Sequence, residues 1–433
     1  MIRPPMAGGS NRSTDRWGGD VRTIVSSMTP IAASVITLAA VSMTVAAVIA
    51  SPAVAGMAED FAAKLSASDR STFEGWRAAR RAYDAKLDAY WASVDQKRAE
   101  RRRKKAAEIA LSVADYVMTF PPTYDGPNLP PPLQQAWARF VADVEAKDPP
   151  EPEREIPGLP VYLAAAKRIY GFEPERISES AFKARYAEEA IALGLSKDQV
   201  VRVYALETGG IGTLDMQAGI NPLTGKGRPI SSALGYAQLL DANSVNEVAK
   251  HGAFLLKRLD GLAERAGKSP ERIAQIRAKA EILKRMIKNA RSVPYDWSRH
   301  QQYARTPEGQ GIHALNLDGD IGPMLQAIKL YGIKVEAEAA GKAKLTGAEM
   351  ELMNLSGPRT GLEILLNPAA AAAPTTNFFT RRAYYVNKMV IGLTGAGLLA
   401  ELDKRMDLAM SKAGTQEFAN AFDAIKTAAL PWR

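Results

Sequence analysis

"SKDQVVRVYALETGG", residues 196–210, sets the fold class. Ser196 and Gln199 have the spacing of a capping box at its start, and Gly209 stands where a helix stops. Val200, Tyr204 and Glu207 fall at i, i+4 and i+7, so an acid shares the apolar face of a helix. Removal from water disfavours its anion, and so does the negative end of the helix dipole. Both raise the pKa of Glu207, as a general acid requires. Gly209 can adopt the left-handed conformation that ends a helix, and neither it nor Gly210 has a side chain to obstruct a substrate.

The same signals recur outward from this stretch. "SESAFKARYAEEAIALG" (178–194) opens on Ser caps and stops at Gly194, and "SPERIAQIRAKAEILKRMIK" (269–288) has Ser269 as cap and Pro270 at the first helical position. No run of alternating β-branched residues competes, so the class expected is mainly α. Residues 121–160 hold "PPTYDGPNLPPP" and "DPPEPEREIPGLP". Proline at this density predicts a linker with one short helix around Gln134–Ala146, and a main domain from about Val161 to the end. Residues 59–120 read as helical and highly charged. Trp76, Tyr83, Leu87, Tyr90 and Val94 form one apolar stripe, expected to dock on the protein's own core or on a partner helix or membrane surface. The run RRRKK (101–105) reads as a solvated face.

The chain has 433 residues, 46% of them apolar, enough for one sizeable packed domain with accessory segments. It has no cysteine, which excludes disulfides and thiolate metal sites. Its three histidines, His251, His300 and His313, share no metal-binding spacing, so neither a metal nor a cofactor is expected. From Thr23 to Ala58 there is no charged residue. Residues 31–50 are an apolar run long enough to span a bilayer, preceded by Arg3, Arg12, Arg16 and Arg22 and followed by "AVA" (53–55). Residues 1–55 thus read as an export signal, cleaved after Ala55 or kept as an inner-membrane anchor. The first 55 residues hold four Arg and two Asp, so +7 of the net +9 lies beyond them. On an exported chain this favours an anionic envelope polymer or lipid over nucleic acid.

Beyond Glu207-Thr208 comes a polar loop and then "SSALGYAQ" (231–238), a Ser-x-x-Gly-x-x-Gln run opening a new helix. Farther on, "LMNLSGPRTG" (352–361) carries Asn354, Gly357 and Pro358, and "FFTRRAYYVNKM" (378–389) carries Thr380, Tyr385 and Lys388. In this order the motifs resemble those of the lytic transglycosylases of the soluble-lytic (SLT) type, relatives of goose-type lysozyme. The likeness covers roughly residues 162–405. It departs at Tyr236 and Ala237, where the family has Leu and Met, at Met353, where the family has Tyr, and at one additional residue between Asn354 and Gly357. The 116 positions from Gln238 to Asn354 exceed what compact members need, and an inserted helical hairpin at about 247–300 is expected to fill them.

The resemblance implies a lysozyme-like catalytic domain cutting peptidoglycan glycan strands in the periplasm, with 1,6-anhydro-muramic acid ends. Glu207 would be the catalytic acid and then base. Ser232 and Gln238 would hold acetamido and sugar groups, Gly235 would let glycan approach the backbone, and Tyr236 stands in the same motif. Asn354 and Tyr385 would frame the cleft. Trp137, Trp297 and Trp432 are candidates for stacking on sugars or for packing. Asp215 is a candidate second carboxylate for a muramidase that hydrolyses the same bond. A wall-binding scaffold without turnover is the non-enzymatic alternative, with residues 59–120 as contact to a membrane or envelope complex. "NLDGDIG" (316–322) lacks the Gly and Glu of a calcium loop, which leaves Asp320 as a helix cap.

Overall fold

In the computed structural model, residues 52–147, 155–267 and 269–428 are described, and their regular structure is helical. Strand-like pairing among them is confined to isolated antiparallel bridges such as Gln217–Leu234 and Leu234–Leu239. The helices are α1 (Pro52–Ala62), α2 (Ala67–Ala106), α3 (Pro131–Glu145), α4 (Leu159–Tyr170), α5 (Glu179–Ala192), α6 (Lys197–Glu207), α7 (Asp241–Arg265), α8 (Pro270–Arg291) and α9 (Trp297–Ala304). They continue as α10 (Pro307–His313), α11 (Ile321–Ala339), α12 (Gly347–Ser356), α13 (Pro358–Leu366), α14 (Pro368–Ala372), α15 (Arg381–Val386), α16 (Gly395–Met410) and α17 (Ala413–Ala428). The caps read from sequence form: Ser196 Oγ accepts from Gln199 N at 3.2 Å, and the Gln199 side chain accepts from Ser196 N at 2.9 Å.

Two cores meet along α11. One joins α4, α7, α8 and α10 through Tyr162, Leu255, Leu283 and Met286, and it continues into Leu234, Ala237 and Leu239 of the loop after α6. The other joins α5, α6, α12, α16 and α17 through Phe182, Tyr204, Met353 and Phe418. The helix pair expected at 247–300 is present as α7 and α8 and is packed into the body of the protein. Its apolar face supplies Leu255, Leu259, Leu283 and Met286 to the first core, in which α4 packs mainly on α10.

The N-terminal segments also depart from expectation. The helical stretch breaks at residues 63–66 and ends at Ala106, after which the chain runs back along α2, the Tyr90 hydroxyl donating to Thr119 O at 2.9 Å. Leu87, Trp91 and Val94 are buried against Phe378, Phe379 and Tyr384, so the stripe docks on the chain's own body. The RRRKK run is solvated at Arg102, Arg103 and Lys105 but not at Arg101, which is 4% exposed, donates to Asp115 O and Asn377 O, and faces Glu363. Lys104 pairs with Asp115 and Lys105 with Glu363. Neither partner lies within a helical turn of the run: Asp115 follows the helix and Glu363 comes from α13. The Pro-rich stretch is more than a linker, since α3 buries Leu133 and Trp137 against Phe61 and Phe73 in a small aromatic core with α1.

The apolar run 31–50 lies outside the described residues, and α1 already begins at Pro52. Among the described residues, no helix is long and apolar enough to cross a membrane.

Candidate active site around Glu207

Helix α6 ends at Glu207 because Thr208 leaves the helical conformation, its hydroxyl donating back to Tyr204 O at 2.7 Å, and Gly209 and Gly210 follow at φ +63° and +70°. Gly210 owes its size to the C-terminal helices. A Cβ there would lie 2.6 Å from Thr415 Oγ1 and 2.8 Å from Ala409 O, so it gives room to α16 and α17 and not to a substrate.

Glu207 is partly exposed and meets α12. The amide of Asn354 donates to Glu207 Oε1 at 3.1 Å and lies 3.1 and 3.3 Å from the two oxygens of Glu351, one helical turn earlier on the same face. The Glu207 and Glu351 carboxyls are within hydrogen-bonding reach of each other. Lys329 of α11 is the nearby cation and also donates to Ala237 O. Burial, followed by the charge of Glu351, raises the Glu207 pKa well above the usual carboxyl value, against the pull of Lys329 and Asn354. Burial pushes Glu351 up to about 7 and Lys329 down. Two carboxyls held by one amide titrate as a pair, and ionisation of either opposes ionisation of the other.

Gly357 turns the chain from α12 into α13 at φ +85°, with Pro358 opening α13. This is the geometry for which Gly-Pro is suited. Met353 points into the second core, fully buried.

The run 231–238 is built differently from its expected role. Ser232 Oγ donates to Asp241 at 2.9 Å and accepts from Asp241 N, stapling the loop to the start of α7. A Cβ on Gly235, at φ +73°, would lie 2.2 Å from Gln326 Nε2, so its close approach is to the Gln326 side chain and not to glycan. Tyr236 is a core residue: it is fully buried, its hydroxyl bonds Glu179 at 2.5 Å, and its ring packs against Tyr204 and Phe182. Gln238 is 3% exposed in the left-handed region at φ +41°, its amide donating to Gly235 O at 2.7 Å and Met216 O at 3.2 Å. Gln326 accepts from Ala237 N while Lys329 donates to Ala237 O, so one face of α11 clamps this turn. Sequence spacing alone does not distinguish a loop that touches substrate from one that supports the acid.

Other candidates lie elsewhere. Tyr385 sets its ring against Trp91 and Tyr384, on the α2 side. Trp137 is core, Trp297 packs partly buried on the first core, and Trp432 lies outside the described residues. Asp215 is half-exposed and paired to Arg176. Against its partial burial, the hydrogen bonds from Thr213 and Arg176 hold it below the usual carboxylate range, so it stands as an anion engaged by Arg176. Asp320 precedes α11, but Asp318 makes the cap, its Oδ1 accepting from Asp320 N and Ile321 N at 3.0 Å.

Glu351, Lys329 and Glu247 were not read as site residues. A local signal existed for two of them: Glu351 is a lone acid in "MELMNL", and Lys329 a lone cation in "MLQAIKLYGI". Glu247, on α7, has Lys329 as a charge neighbour and lies 3.5 Å from His251. Burial lifts Glu247 to about 7, against Lys250 and Lys329, and lowers His251 to about 4. Because the folded pKa of Glu247 is raised, its contribution to stability is complete below about pH 4.5 and is lost as pH rises through about 7. Glu247→Gln should therefore stabilise the protein by roughly 3 kcal/mol at pH 8 and leave it nearly unchanged at pH 4.5. Urea denaturation at the two pH values measures this, and an equal effect at both would refute it.

No family model, curated protein or solved structure matches this chain.

Proposed function

We propose that the chain is a lysozyme-like lytic transglycosylase of peptidoglycan, acting in the bacterial envelope with Glu207 as its catalytic residue. One contact carries the reading. Asn354 and Glu207 belong to two separate motifs of the resemblance, 147 positions apart, and the Asn354 amide donates to the Glu207 carboxyl at 3.1 Å. The raised pKa of Glu207 agrees with the role, because an acid must hold its proton near neutral pH to deliver it.

Glu207 protonates the glycosidic oxygen between N-acetylmuramic acid and N-acetylglucosamine, and the C1–O bond breaks. The Glu207 carboxylate then takes the proton of the muramic acid C6 hydroxyl as O6 bonds C1, so no water is consumed and the acid is regenerated. A hydrolase of the inverting kind needs two carboxyls about 6.5–9.5 Å apart with water between them. Glu207 and Glu351, held by one amide, leave no such space. An apolar run at 31–50 that exports the chain would bring it to this substrate.

Digestion of purified sacculi with the exported chain, followed by mass spectrometry, tests the proposal. Fragments one water lighter than muramidase products are expected. Fragments of full hydrolytic mass would assign a muramidase, and binding without release would assign a wall-binding scaffold.

A further inference from the structure

We propose that Glu351 is a positioning residue for Glu207: it accepts the Glu207 proton in a carboxyl–carboxylate hydrogen bond, keeping Glu207 the acid before bond cleavage and making it the stronger base afterwards. The inference rests on the transglycosylase reading for its chemistry, while the pairing stands on the Asn354 amide that contacts both carboxyls.

Two features place the proton on Glu207. The Asn354 amide lies within reach of both Glu351 oxygens but only one of Glu207, so it solvates the Glu351 anion better. Glu207 also occupies the last residue of α6, where the helix dipole opposes negative charge, whereas Glu351 lies inside α12. The charged groups facing the pair are Lys329 from α11, which favours one carboxylate, and Glu247 from α7, which faces Lys329 in turn. Asn354 is neutral. Lys329 balances a single carboxylate at the pair and not two.

The cycle follows from this arrangement. When Glu207 gives its proton to the glycosidic oxygen, its own carboxylate is left beside that of Glu351. Repulsion between them raises the basicity of Glu207, which then removes the C6 hydroxyl proton and restores the starting pair. Glu351 exchanges no atom with substrate, so it is not consumed and leaves no covalent trace.

The test is Glu351→Gln in the full chain, with release from sacculi measured across pH. The alkaline limb of the rate profile should move down by about one pH unit or more, since Glu207 loses the neighbouring charge that holds its proton. A uniform fall in rate with an unmoved limb would mean a merely structural role and would overturn the proposal. A second measurement is independent of turnover: NMR titration of glutamate carboxyl carbons without substrate. Glu207 should titrate at lower pH in the variant than in the parent, and the same titration in both would also overturn the pairing. If the parent releases no fragments at all, the transglycosylase reading fails, while the titration still decides whether Glu351 controls the Glu207 proton.

Discussion

Glu207→Gln is expected to lower fragment release from sacculi by about 10³-fold, with unfolding unchanged or slightly more favourable to the folded state. General acid catalysis contributes roughly 10²–10⁴-fold, and here one group serves as both acid and base. The amide keeps the shape of the side chain and can donate to Glu351 as the protonated acid does, but it has no proton to deliver. At neutral and higher pH the replacement also removes a carboxyl whose ionisation is opposed by burial and by Glu351. Its raised pKa means that stability is lost as pH rises through the folded value, so the variant should hold its stability better at pH 8. Release at the parental rate would end the assignment of Glu207, and a collapsed fold would show that the acid is structural.

Lys279→Met should destabilise the protein by about 3 kcal/mol at pH 7. Lys279 Nζ lies 2.6 Å from Glu175, 3.0 Å from Asp318 and 2.7 Å from Asp320, and both aspartates are almost completely buried. Burial alone would lower the lysine pKa, but the charges of Asp318 and Asp320 outweigh it. Without the lysine, Arg272 and Arg185 still reach Asp320, and Arg272 still reaches Glu175. Asp318 retains only backbone donors, so an ionised buried carboxyl is left without its cation. Its pKa is already raised by burial and would rise further. The deficit should therefore shrink as pH falls and Asp318 takes a proton, which urea denaturation at pH 7 and pH 5 would show. A loss under 1 kcal/mol at pH 7 would mean that the ion cluster relaxes around the gap.

This cluster also shows why "NLDGDIG" looked like a cation loop in sequence. The cation is present, but it is an ammonium on α8, about 40 positions earlier in the chain. Local spacing reports which side chains share a face, and it is silent about the partner that another helix brings. Arg101 teaches the same lesson, a run of charges whose partners Asp115 and Glu363 come from later segments. Tyr236 and Gly235 fail in a related way: both serve contacts to Glu179 and Gln326 that lie 57 and about 90 positions away.

What the sequence determined by itself was local: the helical class, the caps at Ser178, Ser196 and Ser269, and the end of α6 at Glu207, because each depends on residues within a turn or two. The apolar face carrying Glu207 was also legible, since periodicity alone sets it. Tertiary structure decided which acid stands beside Glu207 and which charges are solvated. It also decided what the helix pair after Gln238 packs against. Those outcomes depend on burial and on charges separated by tens to hundreds of positions, and folding alone brings such groups within a few ångströms of one another.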